Sequence, residues 1–179
     1  PDYEERYRRF YDVIKEKYPH LKVVANAHIE EHDCVTEYVD EHFYNSTEFF
    51  AENQNYYAEY DRKGPKIFVG EQAVNEGAHL GKLYGALGEA AFLIGLEKNQ
   101  DVVALASYAP LFEHIRYRSW SPNLIRFRNT DSLGIPTYYV WKMFGQNRGA
   151  YVVESEDTSD KIYRPMEGMA SLKSSSPLT

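Results

Sequence analysis

A single cysteine, Cys34, is all the sulfhydryl the sequence offers, so no internal disulfide forms and packing must hold the fold together. The same scarcity leaves the compartment open. Basic charge is also short: 20 Lys and Arg stand against 27 Asp and Glu, for a net charge of -7. A phosphate backbone calls for a basic face, so nucleic acid is not an expected partner. No run approaches the roughly 20 apolar residues that cross a bilayer, and the first residues lack a basic segment followed by an apolar one, so no membrane partner is expected. Glycines do not gather into a phosphate-cradling loop; Gly77, Gly81, Gly85 and Gly88 recur at helix-like spacing that suits close packing. Metal ligands are equally thin. His28 and His32 lie four apart with Asp33 and Cys34 behind them, but no second pair at ligand spacing follows, so neither metal nor cofactor is expected. Cys34 has no orienting partner that would make it a nucleophile and reads as inert.

What the chain has is apolar and aromatic material. Of 179 residues, 43% are hydrophobic and 15% aromatic, enough for one sizeable core. Sixteen tyrosines and two tryptophans are many, and such rings join an apolar face to a polar handle. They serve packing first and sugar rings second.

Residues 2–18 carry Tyr3, Tyr7, Phe10, Tyr11, Ile14 and Tyr18 at helical spacing, which predicts an amphipathic helix stopped before Pro19. It begins almost at the first residue, which we read as a cut edge. Strands are predicted at Leu21 to Ala27, Glu37 to Tyr44, Lys66 to Glu71 and Val102 to Tyr108. Asn45 with Glu48 resembles a capping box opening a helix with Phe49, Phe50, Tyr56, Tyr57 and Tyr60. A further helix is expected from about Gly77 to Gly95, and a last one from Ile135 to Gln146 with Pro136 in its first turn. Four strands alternating with helices indicate an α/β fold with parallel pairing. An eight-stranded barrel takes about 250 residues, so four repeats fit half of one, and an open flavodoxin-like sheet fits the length as well. From Ala150 the character changes. Tyr151-Val152-Val153-Glu154 suits a strand, and the rest is rich in Ser, Gly and Pro, as in a truncated second domain or a loose end.

Parallel α/β folds place their sites where strands end. Those ends hold Asn26 and His28, then Glu41, His42 and Tyr44, then Glu71 and Gln72, then Ser107 and Tyr108. Glu71 is placed where a glycosidase nucleophile would sit, with Gly70 beside it leaving room for a ligand; a helix-capping or solvated glutamate fits the same spacing. His42 and Tyr44 share strand parity and should point the same way. A structural histidine and a packed tyrosine fit them equally.

At these residues the sequence resembles glycoside hydrolase family 51, the α-L-arabinofuranosidases. The matching stretches include Asp40-Glu41-His42-Phe43-Tyr44, Gly64-Pro65-Lys66-Ile67-Phe68-Val69-Gly70-Glu71, Ser107-Tyr108-Ala109-Pro110-Leu111-Phe112, Trp120 with Pro122, Asn129-Thr130 and Pro136-Thr137-Tyr138-Tyr139-Val140. They run in one order over residues 1–150. The resemblance implies retaining glycosidases with a (β/α)8 TIM barrel, of which residues 1–149 would supply strands five to eight and 150–179 the start of a C-terminal β-sandwich or a disordered tail. It implies Glu71 as catalytic nucleophile, with His42, Tyr44 and Trp120 binding substrate.

The family's acid/base glutamate lies in a Trp-Glu-x-Gly-Asn-Glu-type stretch that the chain does not reproduce, and Gln72 stands where the family often has an aromatic. The resemblance therefore implies an enzyme releasing terminal α-L-arabinofuranosyl residues from arabinose-containing polysaccharides, with this chain inactive alone. The expected partners are an arabinofuranosyl glycan, the missing N-terminal half of the barrel, and a second copy through open sheet edges. The alternative is a non-catalytic carbohydrate-binding or scaffold module derived from the same barrel.

Overall fold

The computed structural model describes residues 3–27, 36–77, 80–151 and 153, with the backbone of 155–156 and 171–172. Helix α1 spans Tyr3–Lys17, with Glu4 and Glu5 in its first turn and Lys15 and Lys17 in its last, each complementing the helix dipole. The chain then enters a four-stranded sheet of β1 (Val24–Ala25), β2 (Tyr38–Asn45), β3 (Lys66–Val74) and β4 (Val103–Ala106). All three pairings are parallel and the order is β1-β2-β3-β4. Strand order that follows chain order has no reversal, unlike the flavodoxin-like sheet that length alone allowed.

Helices α2 (Thr47–Glu52) and α3 (Leu83–Lys98) make the crossovers, and α4 (Pro136–Gln146) packs beside α3. Val39, Ile67, Val69 and Val103 from the strands share one buried cluster with Phe50, Phe92, Leu93, Leu96 and Val140 from the helices. Burying a side chain of this size removes about 2 kcal/mol of unfavourable hydration, and this cluster is the main core. Two glycines on α3 let the helices close up. A Cβ on Gly88 would lie 2.6 Å from the Thr47 carbonyl oxygen, and one on Gly95 would overlap the carbonyl of Gln54. The spacing reading thus holds for Gly88, whereas Gly77 and Gly81 precede the helix in left-handed turns, with φ of 83° and 65°.

Other boundaries shift for local reasons. The first strand is two residues long, because only Val24 and Ala25 lie opposite β2. Ser46, one residue past the expected cap, accepts a hydrogen bond from the Phe49 amide at 3.2 Å. After six residues α2 passes into turns, so Tyr56, Tyr57 and Tyr60 sit outside it. Pro136 opens α4 as expected.

The sequence gives no sign of a second sheet, yet β5 (Phe112–His114), β6 (Ile125–Phe127) and β7 (Ser132–Gly134) form one, parallel between β5 and β6 and antiparallel between β6 and β7. Its strands are three residues long and lean on charge. Glu113, only 6% exposed, accepts from Asn123 Nδ2 at 2.8 Å, and Arg126 Nε lies 2.9 Å from its other oxygen. The Arg126 N–H does not point along that line, so this is an ion pair without a formed hydrogen bond. In the tail, β8 (Ser155–Glu156) pairs antiparallel with β9 (Ser171–Leu172), while residues 152 and 154 of the strand expected at 151–154 fall outside the described residues.

Candidate active site

Alternation along β3 puts Ile67 and Val69 into the helix-facing core, and strict period two would send Glu71 after them. It does not go there. Opposite β2, Glu41 pairs with Val69 and the next residue, His42, pairs with Glu71, so Gly70 is an extra residue bulged out of register. A bulge of this kind reverses the faces beyond it. Glu71 therefore emerges beside His42 and Tyr44, and Val74 returns to the core cluster. The strand runs on for three residues past Glu71, so this carboxylate lies within β3, correcting the expectation that it ends the strand.

Gly70 serves a different neighbour from the one expected. A Cβ at this position would overlap Oδ1 of Asp40, so the missing side chain makes room for a carboxylate of the protein itself. Asp40 in turn accepts a hydrogen bond from His42 Nε2 at 2.9 Å, which fixes the imidazole and turns Nδ1 toward Glu71 Oε2 at 3.5 Å. That second contact is longer than a hydrogen bond. The direct bond to Glu71 comes from Tyr44, whose hydroxyl donates to Oε2 at 2.5 Å. Burial first, then the bond and charge of Glu71, push the Tyr44 phenol above its ordinary range, so it stays a donor. The side chain of Glu71 is 41% exposed and open to a ligand.

The second sheet adds a wall. The Trp120 ring lies 5.7 Å from that of Tyr44, edge to face, and is 45% exposed. Its loop is held by Asn123, whose Nδ2 donates to the Trp120 carbonyl at 2.6 Å as well as to Glu113. Glu71, His42, Tyr44 and Trp120 thus converge.

Other strand-end residues do not join them. Glu41 points to the opposite face and accepts from the buried Tyr57 hydroxyl. Gln72 is fully buried, with neither side-chain atom hydrogen-bonded. Ser107 Oγ donates to the Gly70 carbonyl and so fastens β4 to the bulge. Tyr108 is buried in a small cluster with Ala73, Leu124 and Ile135, against which Tyr44 packs. Asn26 gives its amide to the Tyr3 hydroxyl. His28, His32, Asp33 and Cys34 lie outside the described residues. Among the described residues no group of three or more His, Cys, Asp or Glu side chains could hold a metal.

Sequence reasoning passed over Asp40, although its parity with His42 was available. It also passed over Glu89, the one charge in the apolar stretch from Gly85 to Leu96. Glu89 is buried on α3, where one oxygen accepts from the Val74 amide at 2.6 Å and the other from the Thr137 hydroxyl of α4 at 2.5 Å. Burial outweighs both bonds and pushes its carboxyl up to about 7. It ties α4 to the last residue of β3, three positions beyond Glu71.

Two family models match the chain: the α-L-arabinofuranosidase C-terminal domain over residues 57–175 and the α-L-arabinofuranosidase 1 domain over residues 1–62. Alpha-L-arabinofuranosidase 1 of Arabidopsis thaliana is 42% identical over 156 residues, covering 86% of this chain and 23% of its own length. An extracellular exo-alpha-L-arabinofuranosidase of Streptomyces chartreusis is 38% identical over 184 residues, covering 96% and 22%. The chain spans about a quarter of the length of these relatives. Among solved structures, an arabinose-bound GH51 α-L-arabinofuranosidase superimposes with a TM-score of 0.80 at 28% identity, over 87% of this chain and 27% of that one. The arabinose complex of the Thermotoga maritima α-L-arabinofuranosidase follows with a TM-score of 0.66 over 87% of this chain and 38% of its own; at 18% identity it speaks for the fold alone.

Proposed function

The chain belongs to the α-L-arabinofuranosidases of glycoside hydrolase family 51, and from that premise we propose that it is the nucleophile-bearing part of a retaining arabinofuranosidase, with Glu71 as the attacking carboxylate. The observation that carries this reading is the turn of Glu71, by the Gly70 bulge, onto an open face where Tyr44 donates to it. In the first step a Glu71 oxygen bonds to the anomeric carbon as the bond to the leaving oxygen breaks, that oxygen taking a proton from an acid. In the second, water deprotonated by the same group displaces Glu71 and frees arabinose with its configuration kept. Tyr44 holds Oε2, leaving Oε1 for attack, while His42, oriented by Asp40, faces the same Oε2. Trp120 offers an apolar wall to the sugar.

The acid/base carboxyl belongs, on this reading, to the longer protein, as do the first four strands of a (β/α)8 barrel in which β1 to β4 are strands five to eight. Residues 1–149 are then its second half and 150–179 lead into the next domain. Sequential order and uniform parallel pairing support that arrangement. Strand β4 pairs on one side only among the described strands, and beside it a cavity of about 210 Å³ is lined by Leu93, Leu96, Leu105, Trp141 and Phe144. The rest of the barrel closes this edge, and without it a second copy does, which sedimentation of the chain alone would detect.

The substrate is an arabinose-containing glycan. The test is Glu71→Ala in the full-length protein assayed on an aryl arabinofuranoside. Hydrolysis should fall by at least about 10⁴-fold, with azide restoring turnover as an azido sugar. An Ala variant that keeps parental turnover without azide would falsify the assignment. Arabinoside binding by a parent that never turns substrate over would replace it with a binding module.

A further inference from the structure

We propose that the second sheet carries a subsite for a negatively charged sugar, a uronate, formed by Arg116 and Arg128 over a cavity beside the loop that bears Trp120. The chain is acidic overall, yet from His114 to Arg128 it has four arginines and no Asp or Glu. Arg126 is drawn inward to Glu113. Arg116 and Arg128 instead line a cavity of about 280 Å³ together with His114, Tyr117, Asn129 and Thr130.

The lining divides by chemistry. A guanidinium presents a planar fork of donors that matches a carboxylate. Arg116 is exposed, and among the described residues its side chain meets no acid. Arg128 spends Nε on Asp131 Oδ1 at 3.0 Å, which anchors the side chain and leaves its terminal nitrogens to the cavity. Asp131, also bonded by the Thr130 hydroxyl at 3.0 Å, is the acid of this corner and offsets one of the two positive charges. Asn129 and Thr130 are neutral, with the sizes and polarity that sugar hydroxyls require.

Tyr117 supplies the remaining element. Its ring is 82% exposed and backed by that of His114, 5.1 Å away at a tilt of 36°, so its free face makes a shelf for the C–H face of a pyranose. An inorganic anion uses none of that shelf. The loop from Ile115 to Leu124 carries Arg116 and Tyr117 at its start and Trp120, the neighbour of Tyr44, three residues later. A glycan laid along it would meet the arabinose site and the arginine cavity in turn. The placement rests on the glycosidase reading of Glu71, and the uronate site itself does not.

The test is equilibrium binding to the full-length protein, by titration calorimetry or ligand-observed NMR, with methyl glucuronide, methyl glucoside and sodium sulfate as probes. The glucuronide should bind at least about tenfold tighter than the glucoside, as charge-assisted bonds to arginine predict, and should weaken several-fold as salt shortens the screening length. Arg116→Ala, an exposed change with no fold to lose, should remove most of that preference, and Arg128→Lys should weaken it while keeping the charge. Glu71→Gln should leave it untouched, so loss of hydrolysis and loss of uronate binding are separate results. Equal binding of glucoside and glucuronide overturns the proposal, as does a preference that survives Arg116→Ala with Arg128→Ala. Sulfate binding as tightly as the glucuronide overturns its sugar half.

Discussion

The two larger sheets of this chain are built on opposite terms. The four-stranded sheet hides its strands against helices and is held by apolar side chains, whereas the three-stranded sheet has strands of three residues held by a buried carboxylate, an amide and an arginine. The first tolerates little change in shape; the second tolerates little change in charge. The candidate site lies where they meet, taking Glu71, His42 and Tyr44 from one and Trp120 from the other. Trp141 packs against both the main core and the Ala73, Tyr108, Leu124 and Ile135 cluster, and Trp120 on the loop after β5 meets Tyr44 of β2, so both tryptophans sit where the two regions join.

The sharpest break in this comparison should come from Gly95→Ala. Its methyl group would overlap the Gln54 carbonyl, backbone on which α2 and its following turns depend, and overpacking against backbone costs about 3 kcal/mol or more. Urea unfolding followed at both tryptophans should show the whole molecule weakened.

Next comes Glu89, which fastens α4 to β3. Its carboxyl is raised from an ordinary 4.5 to about 7, so the folded state holds a proton that the unfolded state has released in this window. Stability from this residue is full below about 4.5 and is lost as pH rises through about 7, a fall of about 3 kcal/mol. Glu89→Gln should flatten that slope and leave the variant more stable than the parent at pH 8. A parent whose unfolding free energy is level between pH 5 and 8 would contradict it.

Glu113→Ala should separate the sheets. It strands Asn123 and Arg126 and costs about 2 kcal/mol, less than a wholly buried pair because Arg126 is 31% exposed. Trp120 emission should shift with Trp141 replaced by Phe, while far-ultraviolet circular dichroism keeps its helical signal. The smallest effect is expected at Glu37. There burial opposes ionisation, but Lys15, Lys22 and the Val23 amide together hold the carboxyl down at about 2. Its contribution is present above about 4.5 and is lost as pH falls toward about 2. With Lys22 well exposed but Lys15 and Glu37 only 20% and 15% exposed, Glu37→Gln should cost about 1 kcal/mol at neutral pH, and less in high salt.

The same contrast decides what could be read in the sequence. Apolar runs such as Ile67 to Val69 announce buried strands, because burial on one face demands those residue types. Pro136 announces a helix start. The second sheet has no such run: Phe112-Glu113-His114 and Ile125-Arg126-Phe127 are too short to show a period. Its stability comes from pairings between residues ten and thirteen positions apart in the chain, which no local pattern encodes. At the candidate site, Glu71, His42, Tyr44 and Trp120 were picked out through family resemblance. That Gly70 accommodates Asp40, and that Glu71 lies inside its strand, depended on pairing with β2.

The bulge at Gly70 gives β3 a phase as well as a direction. Before it the odd-numbered Ile67 and Val69 face the core and after it the even-numbered Val74 does, so a half-period slip turns Glu71 to the open face. Insertions and deletions therefore differ in kind from substitutions here. Inserting one residue between Gly70 and Glu71 would preserve every side chain of the candidate site and send Glu71 to the wrong face, turning it into an uncompensated charge among Ile67, Val69 and Phe92. For this strand, the spacing between residues matters as much as the residues themselves.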